Sequence, residues 1–191
     1  MWFTGQRTDL NPRYKLASNP CLCGNYHPSA AFDACSCTPQ QRREYQRKVS
    51  GPITDRLDIV RHLSPLKPGH QDRLSPPESS AEVRARVTAA RERQNRRYEG
   101  AGWRLNGQAP GAALRDTWPL TEEAQLLVDD QVLAGRLTRR GAVRVHRLAW
   151  TVTDLAGRDR PDVVETRTAL QLRSGEALNL SVIDARERRA G

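Results

Sequence analysis

A chain of 191 residues has room for one domain, or for one incomplete domain with a small appendage, and two compact units are not expected. With 37% hydrophobic and 28% charged residues, only two Phe and a mean hydropathy of -0.72, its core should be modest and several segments should lie open to water. The 31 Lys and Arg against 22 Asp and Glu leave a net charge of +9, which favours phosphate or another polyanion as partner or records an arginine-rich surface with no recognition role; no apolar run reaches the ~18 residues of a membrane span, so no membrane partner is expected.

The opening from Met1 to Arg7 lacks the apolar centre of a signal peptide, and a cytoplasmic protein is expected. Residues 1–12 show no periodicity and read as disordered or aberrant. Tyr14 to Ser18 is a short strand candidate. Thr38 then opens a helix: it can cap, Pro39 suits the first helical position, and Gln41 completes a capping box. That helix should end near Lys48, before Gly51-Pro52, and Leu57 to Val60 reads as a strand. From Ser64 to Pro77 the chain is polar and proline-punctuated, a loop or hinge.

Ser79 and Glu82 form a second capping box. Behind them Val83, Val87 and Ala90 share a narrow apolar face, while Arg84, Arg86, Arg91, Arg93, Arg96 and Arg97 cover the rest. Such a helix either touches a phosphate backbone or is merely solvated. A glycine-rich connector holding Trp103 spans Gly100 to Gly111, and Thr121-Glu122-Glu123 opens a helix that Gly135 ends. Thr138 caps the next, whose apolar positions Val145, Leu148, Ala149, Val152 and Ala156 recur at helical spacing up to Gly157. Asp162 with Glu165 starts one more, through about Leu172, and Leu178 to Ile183 is a last short strand candidate. The fold class is mostly α.

All four cysteines lie between positions 21 and 37. Cys21 with Cys23 and Cys35 with Cys37 form two thiol pairs joined by a turn-rich loop, and four thiolates at about 2.3 Å around one tetrahedral zinc is the site that such pairs build. The site would be structural, with no coordination position left for water or substrate. The alternative is four unmetallated cysteines packed as small apolar residues. Asn19, just before Pro20, is a polar residue at the end of a strand candidate or an ordinary turn opener. Arg56 lies in a short turn with Asp55 and Asp58 and by itself reads as a surface ion-pair cluster. Arg140, Arg144 and Arg147 fall at i, i+4, i+7 on one helical face, which suits an anion among them or a solvated basic face. No Ser/His/Asp arrangement supports nucleophilic catalysis.

Four motifs in order carry a resemblance. Asn-Pro-Cys-x-Cys-Gly runs from Asn19 to Gly24, Cys-x-Cys-Thr-Pro from Cys35 to Pro39, Ser-Gly-Pro-x-x-Asp-Arg-x-Asp from Ser50 to Asp58, and Leu-Thr-x-Arg-Gly-x-x-Arg-x-x-Arg-Leu-Ala-Trp-Thr from Leu137 to Thr151. Over roughly residues 13–173 the chain resembles the C-terminal part of magnesium-chelatase-like AAA+ ATPases of the YifB/ComM type. The resemblance implies the end of a AAA+ α/β core with a cysteine-rich, zinc-knuckle-like insert over 13–63. A proline-rich loop, basic helix and connector would follow over 64–112, then a helical lid over 113–173 and a tail over 174–191.

In that family Arg56 would be the arginine finger that reaches the nucleotide of a neighbouring subunit, and Asn19 the sensor that orients the attacking water. Arg140 would be the second sensor, on the lid, contacting the γ-phosphate, with Arg144 and Arg147 in support. Implied partners are an N-terminal ATPase half or a full-length paralogue in a hexameric ring, and DNA in recombination or competence. Within these 191 residues there is no Gly-x-x-x-x-Gly-Lys-[Ser/Thr] loop to grip phosphate and no Walker B strand. The chain is therefore expected to need a complementing half for ATP and magnesium, as a product of a split or frame-disrupted gene. A second expectation is a stand-alone, zinc-stabilised nucleic-acid-binding module. Magnesium insertion into porphyrin is a third, against which the cysteine insert argues.

Overall fold

The computed structural model describes residues 2–6, 13–26, 34–48, 51–63 and 78–176. They fall in two compact units, residues 1–56 and 57–191, where length and composition favour one. Among the described residues of the small unit Cys21 is the only buried side chain, so what burial is described there centres on a thiol.

In that unit strand β1 (Trp2–Gln6) pairs antiparallel with β2 (Arg13–Ala17), in a register that sets Trp2 opposite Ala17 and Gln6 opposite Arg13. The strand expected at Tyr14 to Ser18 is present. The expectation for residues 1–12 is corrected at Trp2–Gln6, whose aromatic and Thr residues suit a pleated surface once a partner pairs with them. Helix α1 (Pro39–Arg47) starts as its capping box dictates, with the Thr38 hydroxyl accepting from the Gln41 amide and the Gln41 side chain accepting from the Thr38 amide. None of its residues is buried. A single turn, α2 (Gly51–Thr54), follows.

The larger unit is helical: α3 (Ser80–Arg97), α4 (Gly111–Asp116), α5 (Glu122–Leu133), α6 (Arg139–Leu155) and α7 (Val163–Ser174), with a 3₁₀ turn at Asn106–Gln108. Ser79 and Asp162 close capping boxes with Glu82 and Glu165, and Thr138 caps α6 through the Gly141 amide. Gly135 and Gly157 take left-handed backbone angles just past α5 and α6, the conformation that ends a helix at least cost when no Cβ is present. No helix among the described residues is long and apolar enough to cross a membrane.

Helix α6 joins two cores. Val145 and Ala149 pack with Leu120, Ala124, Val128 and Ala169, while Trp150, on another face, packs with Tyr98, Ala109 and Leu114 beneath Trp103 and Trp118. The Tyr98 and Trp118 rings meet edge to face at 5.0 Å. Below them the Trp118 carbonyl accepts from Trp150 Nε1 and from the His146 ring Nε2. Burial lowers the pKa of His146, and the positive charge of Arg115 adds to this against the opposing hydrogen bond.

Three expectations change. Val83 and Val87 of α3 are 38% and 43% exposed, and burial on that helix begins only at Ala90 and Gln94. Helix α4 starts where the expected connector ends, in a stretch before Thr121 for which no helix is expected, and is anchored by the fully buried Leu114. Leu57 to Val60 is not a strand. No second strand lies beside it among the described residues, and the Val60 amide donates instead to the Leu172 carbonyl, one of the free carbonyls at the end of α7. The segments Ser64 to Pro77 and Leu178 to Ile183 lie outside the described residues.

Candidate functional site

Two thiol pairs separated in sequence come together in the small unit. Gly24, at φ +82°, lets the chain turn so that its amide donates to the Cys21 carbonyl, and this brings Cys21 and Cys23 onto one side. The Sγ atoms of Cys21 and Cys23 are 3.3 Å apart, those of Cys21 and Cys35 3.6 Å, and those of Cys23 and Cys35 3.5 Å. With Cys37 all four lie within 4.8 Å of one another. Sulfurs bound to one tetrahedral zinc stand roughly 3.8 Å apart, so the cluster needs little movement to hold the ion.

The surroundings favour thiolate at Cys23 and oppose it at Cys35. The backbone amide of Asn25, then the Cys21 thiol, bring the pKa of Cys23 down to about 5. Burial pushes Cys35 up to about 11, against hydrogen bonds from the Cys37 backbone and the Arg42 side chain. Arg42 comes from α1 and also lies 4.4 Å over the Tyr26 ring, and Gln46 of α1 donates to the Pro20 carbonyl. Helix α1 thereby braces both ends of the cysteine turn. Four thiols of which one is already prone to ionise, in a closed set of sulfurs, are a donor set for a structural zinc.

Asn19 is exposed at the end of β2, with its side-chain amide over Gly24: a Cβ there would lie 3.4 Å from Asn19 Nδ2. Arg56 is exposed as well, and its guanidinium donates to the Pro52 carbonyl at 2.8 Å, closing the α2 turn on itself. Its sequence neighbour Asp58 is ion-paired with Arg144.

The three arginines of α6 have different surroundings. Arg140, in the first turn, is exposed and makes no hydrogen bond or ion pair among the described residues. It lines a groove of ≈ 850 Å³ between α4, α5 and α6, together with Arg115, Arg139 and His146 and with Leu114, Leu120 and Val128 beneath. Arg144 is largely covered and pairs with Asp58, while its Nε is buried without a partner. Arg147 places Nε and Nη2 3.0 and 2.8 Å from the Ala109 carbonyl, and burial, then the charge of Arg144, lower its pKa.

Sequence reasoning does not find the most buried charge among the described residues. Asp154 on α6 is fully buried and takes both arms of the Arg97 guanidinium from α3. The same guanidinium lies 3.8 Å over the Trp150 ring. Asn106 completes the set, donating to Asp154 Oδ2 at 2.8 Å and Thr151 Oγ1 at 3.1 Å and accepting from Tyr98 Oη at 2.9 Å. The network fastens the end of α3 and the 3₁₀ turn to α6. Its members lie in three separate stretches, so no local spacing announces them.

Comparison with known proteins adds the family context. Residues 77–173 match the family described as magnesium chelatase, subunit ChlI C-terminal, and residues 11–71 match that described as magnesium chelatase, subunit ChlI. An uncharacterised protein of Mycobacterium tuberculosis is 35% identical over 158 residues, 83% of this chain and 30% of the relative. The uncharacterised protein YifB of Escherichia coli is 32% identical over 175 residues, and that of Salmonella typhimurium 30% over 169. These stretches cover 90% and 87% of this chain. The chain spans under a third of the length of these relatives, between 30% and 32%.

Proposed function

Because the chain belongs to the YifB-type magnesium-chelatase-like family, we propose that it supplies the end of the core and the helical lid of a AAA+ ATPase acting on DNA in recombination or competence, in the cytoplasm. The observation that carries this reading is Arg140. A guanidinium with no partner among the described residues stands on the first turn of a well-capped helix, over a groove, while Arg144 and Arg147 behind it are engaged with protein groups. Arg140 reaches the γ-phosphate as the lid closes, and Arg144 and Arg147 hold the helix that carries it. Arg56 reaches across to the neighbouring subunit's nucleotide in a hexameric ring, and Asn19 orients the attacking water. ATP and magnesium are held by an N-terminal half with its own phosphate loop. Cys21, Cys23, Cys35 and Cys37 would hold a structural zinc, which would keep Asn19 at the end of its strand.

The chain by itself should hydrolyse no ATP, because its 191 residues hold no phosphate loop and no Walker B strand to grip the nucleotide and magnesium. Combined with an N-terminal half from a family member that carries a phosphate loop, it should restore turnover. Arg56→Ala should then abolish hydrolysis with ATP binding kept, since a finger acts on the transition state, and Arg140→Ala should impair both. Magnesium-dependent turnover by the purified chain alone, or full activity of Arg56→Ala in the restored enzyme, overturns the reading.

A further inference from the structure

The segment that begins one residue after Arg56 is held by the lid helices at several points. The Leu57 carbonyl accepts from the Arg173 guanidinium of α7, Asp58 pairs with Arg144 of α6, and the Val60 amide donates to the Leu172 carbonyl at 2.8 Å. Arg61 reaches the Glu176 carbonyl at 3.2 Å. Gly175, at φ +77°, passes so close that a Cβ on it would lie 3.0 Å from His62 Nε2 and 3.2 Å from Val60 Cγ1. A stretch that reads as a strand is thus pinned by side chains and backbone of α6 and α7.

Arg144 is one turn along α6 from Arg140 and mostly covered, whereas Asp58 is 61% exposed. An exposed carboxylate alone is weakly held, but a partner guanidinium already sunk against the helices loses little further freedom on pairing. We infer that Arg144 is a positioning residue that ties Asp58, and through the chain Arg56, to the helix bearing Arg140. This rests on the ATPase reading and deepens it: the helix that bears the sensing residue also holds, through the Arg144–Asp58 pair, the segment that follows the acting residue in the chain. A shift of α6 when Arg140 engages phosphate is handed to Leu57 and Asp58, the residues that follow Arg56 in the chain. Arg144 then affects turnover without touching the nucleotide.

Two measurements test this. In the 191-residue chain, hydrogen exchange of the amides 57–62 should quicken about five- to tenfold in Arg144→Gln and in Asp58→Asn. Arg144→Lys, which keeps the helix and the charge, should lie between them and the unaltered chain. In the enzyme restored with an N-terminal half, Arg144→Gln should lower kcat about five- to tenfold with KM for ATP unchanged, whereas Arg140→Ala raises KM. Exchanging the partners, Arg144→Asp with Asp58→Arg, should recover much of the loss. Unchanged exchange in both single variants overturns the fastening. A rise in KM for Arg144→Gln like that of Arg140→Ala, with no recovery on exchange of partners, overturns the positioning role in favour of direct nucleotide contact. Absence of turnover with the unaltered chain counts against the ATPase reading alone, and the exchange measurement then decides the fastening.

Discussion

At the scale of single residues, the buried charge pair of the helical unit dominates. Arg97 is 11% exposed and Asp154 fully buried, so removing one partner leaves an ion in a place it cannot be solvated. Asp154→Ala is expected to destabilise the helical unit by about 3–5 kcal/mol, read from urea unfolding followed by far-UV circular dichroism. The loss includes the stranded Arg97 guanidinium and the Asn106 amide, which donates to the same carboxylate. A change below about 1 kcal/mol would show that water reaches Arg97 and that the pair is no anchor. The engaged arginines of α6 follow the same logic on a smaller scale, since Arg147 stops the Ala109 carbonyl from being buried unpaired.

At the scale of elements, the first turn of α6 shows how context reverses a propensity. A glycine inside a helix ordinarily costs ~1 kcal/mol against alanine, so Gly141→Ala ought to stabilise. Here a Cβ would lie 2.8 Å from Leu137 Cδ1 and 3.2 Å from both Arg173 Nε and the Thr138 cap oxygen. The capping hydroxyl, the Leu137 side chain and the arginine that holds Leu57 would all have to yield. Gly141→Ala is therefore expected to lower stability by about 1–3 kcal/mol, seen as a lower urea midpoint with an unchanged slope. A higher midpoint would mean that the neighbours relax freely and that the turn is loosely packed.

At the scale of the whole molecule, the two units stand on different physics. The small one is organised around thiols among its described residues, the larger around Leu, Val, Ala, Tyr and Trp side chains gathered about α6. Removal of metal by a chelator, or Cys35→Ser, should release about one zinc per chain and raise hydrogen exchange over residues 20–38 toward that of an unfolded peptide. The thermal transition of the helical unit should stay where it was, because none of its core residues is a ligand. Metal analysis with exchange mass spectrometry decides both points. A zinc-free chain with full protection over 20–38 would mean that the cysteines pack as apolar residues instead.

What the sequence determined alone was whatever short-range chemistry decides. Thr38, Ser79, Thr138 and Asp162 open their helices, and Gly135 and Gly157 end theirs, because capping and left-handed turns involve atoms only a few residues apart. The cysteine cluster was legible for the same reason: its two pairs are close in sequence. Tertiary structure decided the rest. Trp2–Gln6 is a strand because β2 pairs with it, and Leu57 to Val60 is not one because α7 satisfies it. Spacing put Arg140, Arg144 and Arg147 on one face, but their separate surroundings depend on Asp58, 86 residues from Arg144, and on Ala109, 38 from Arg147. Periodicity reports which way a side chain faces, and only the packed chain supplies what it meets there.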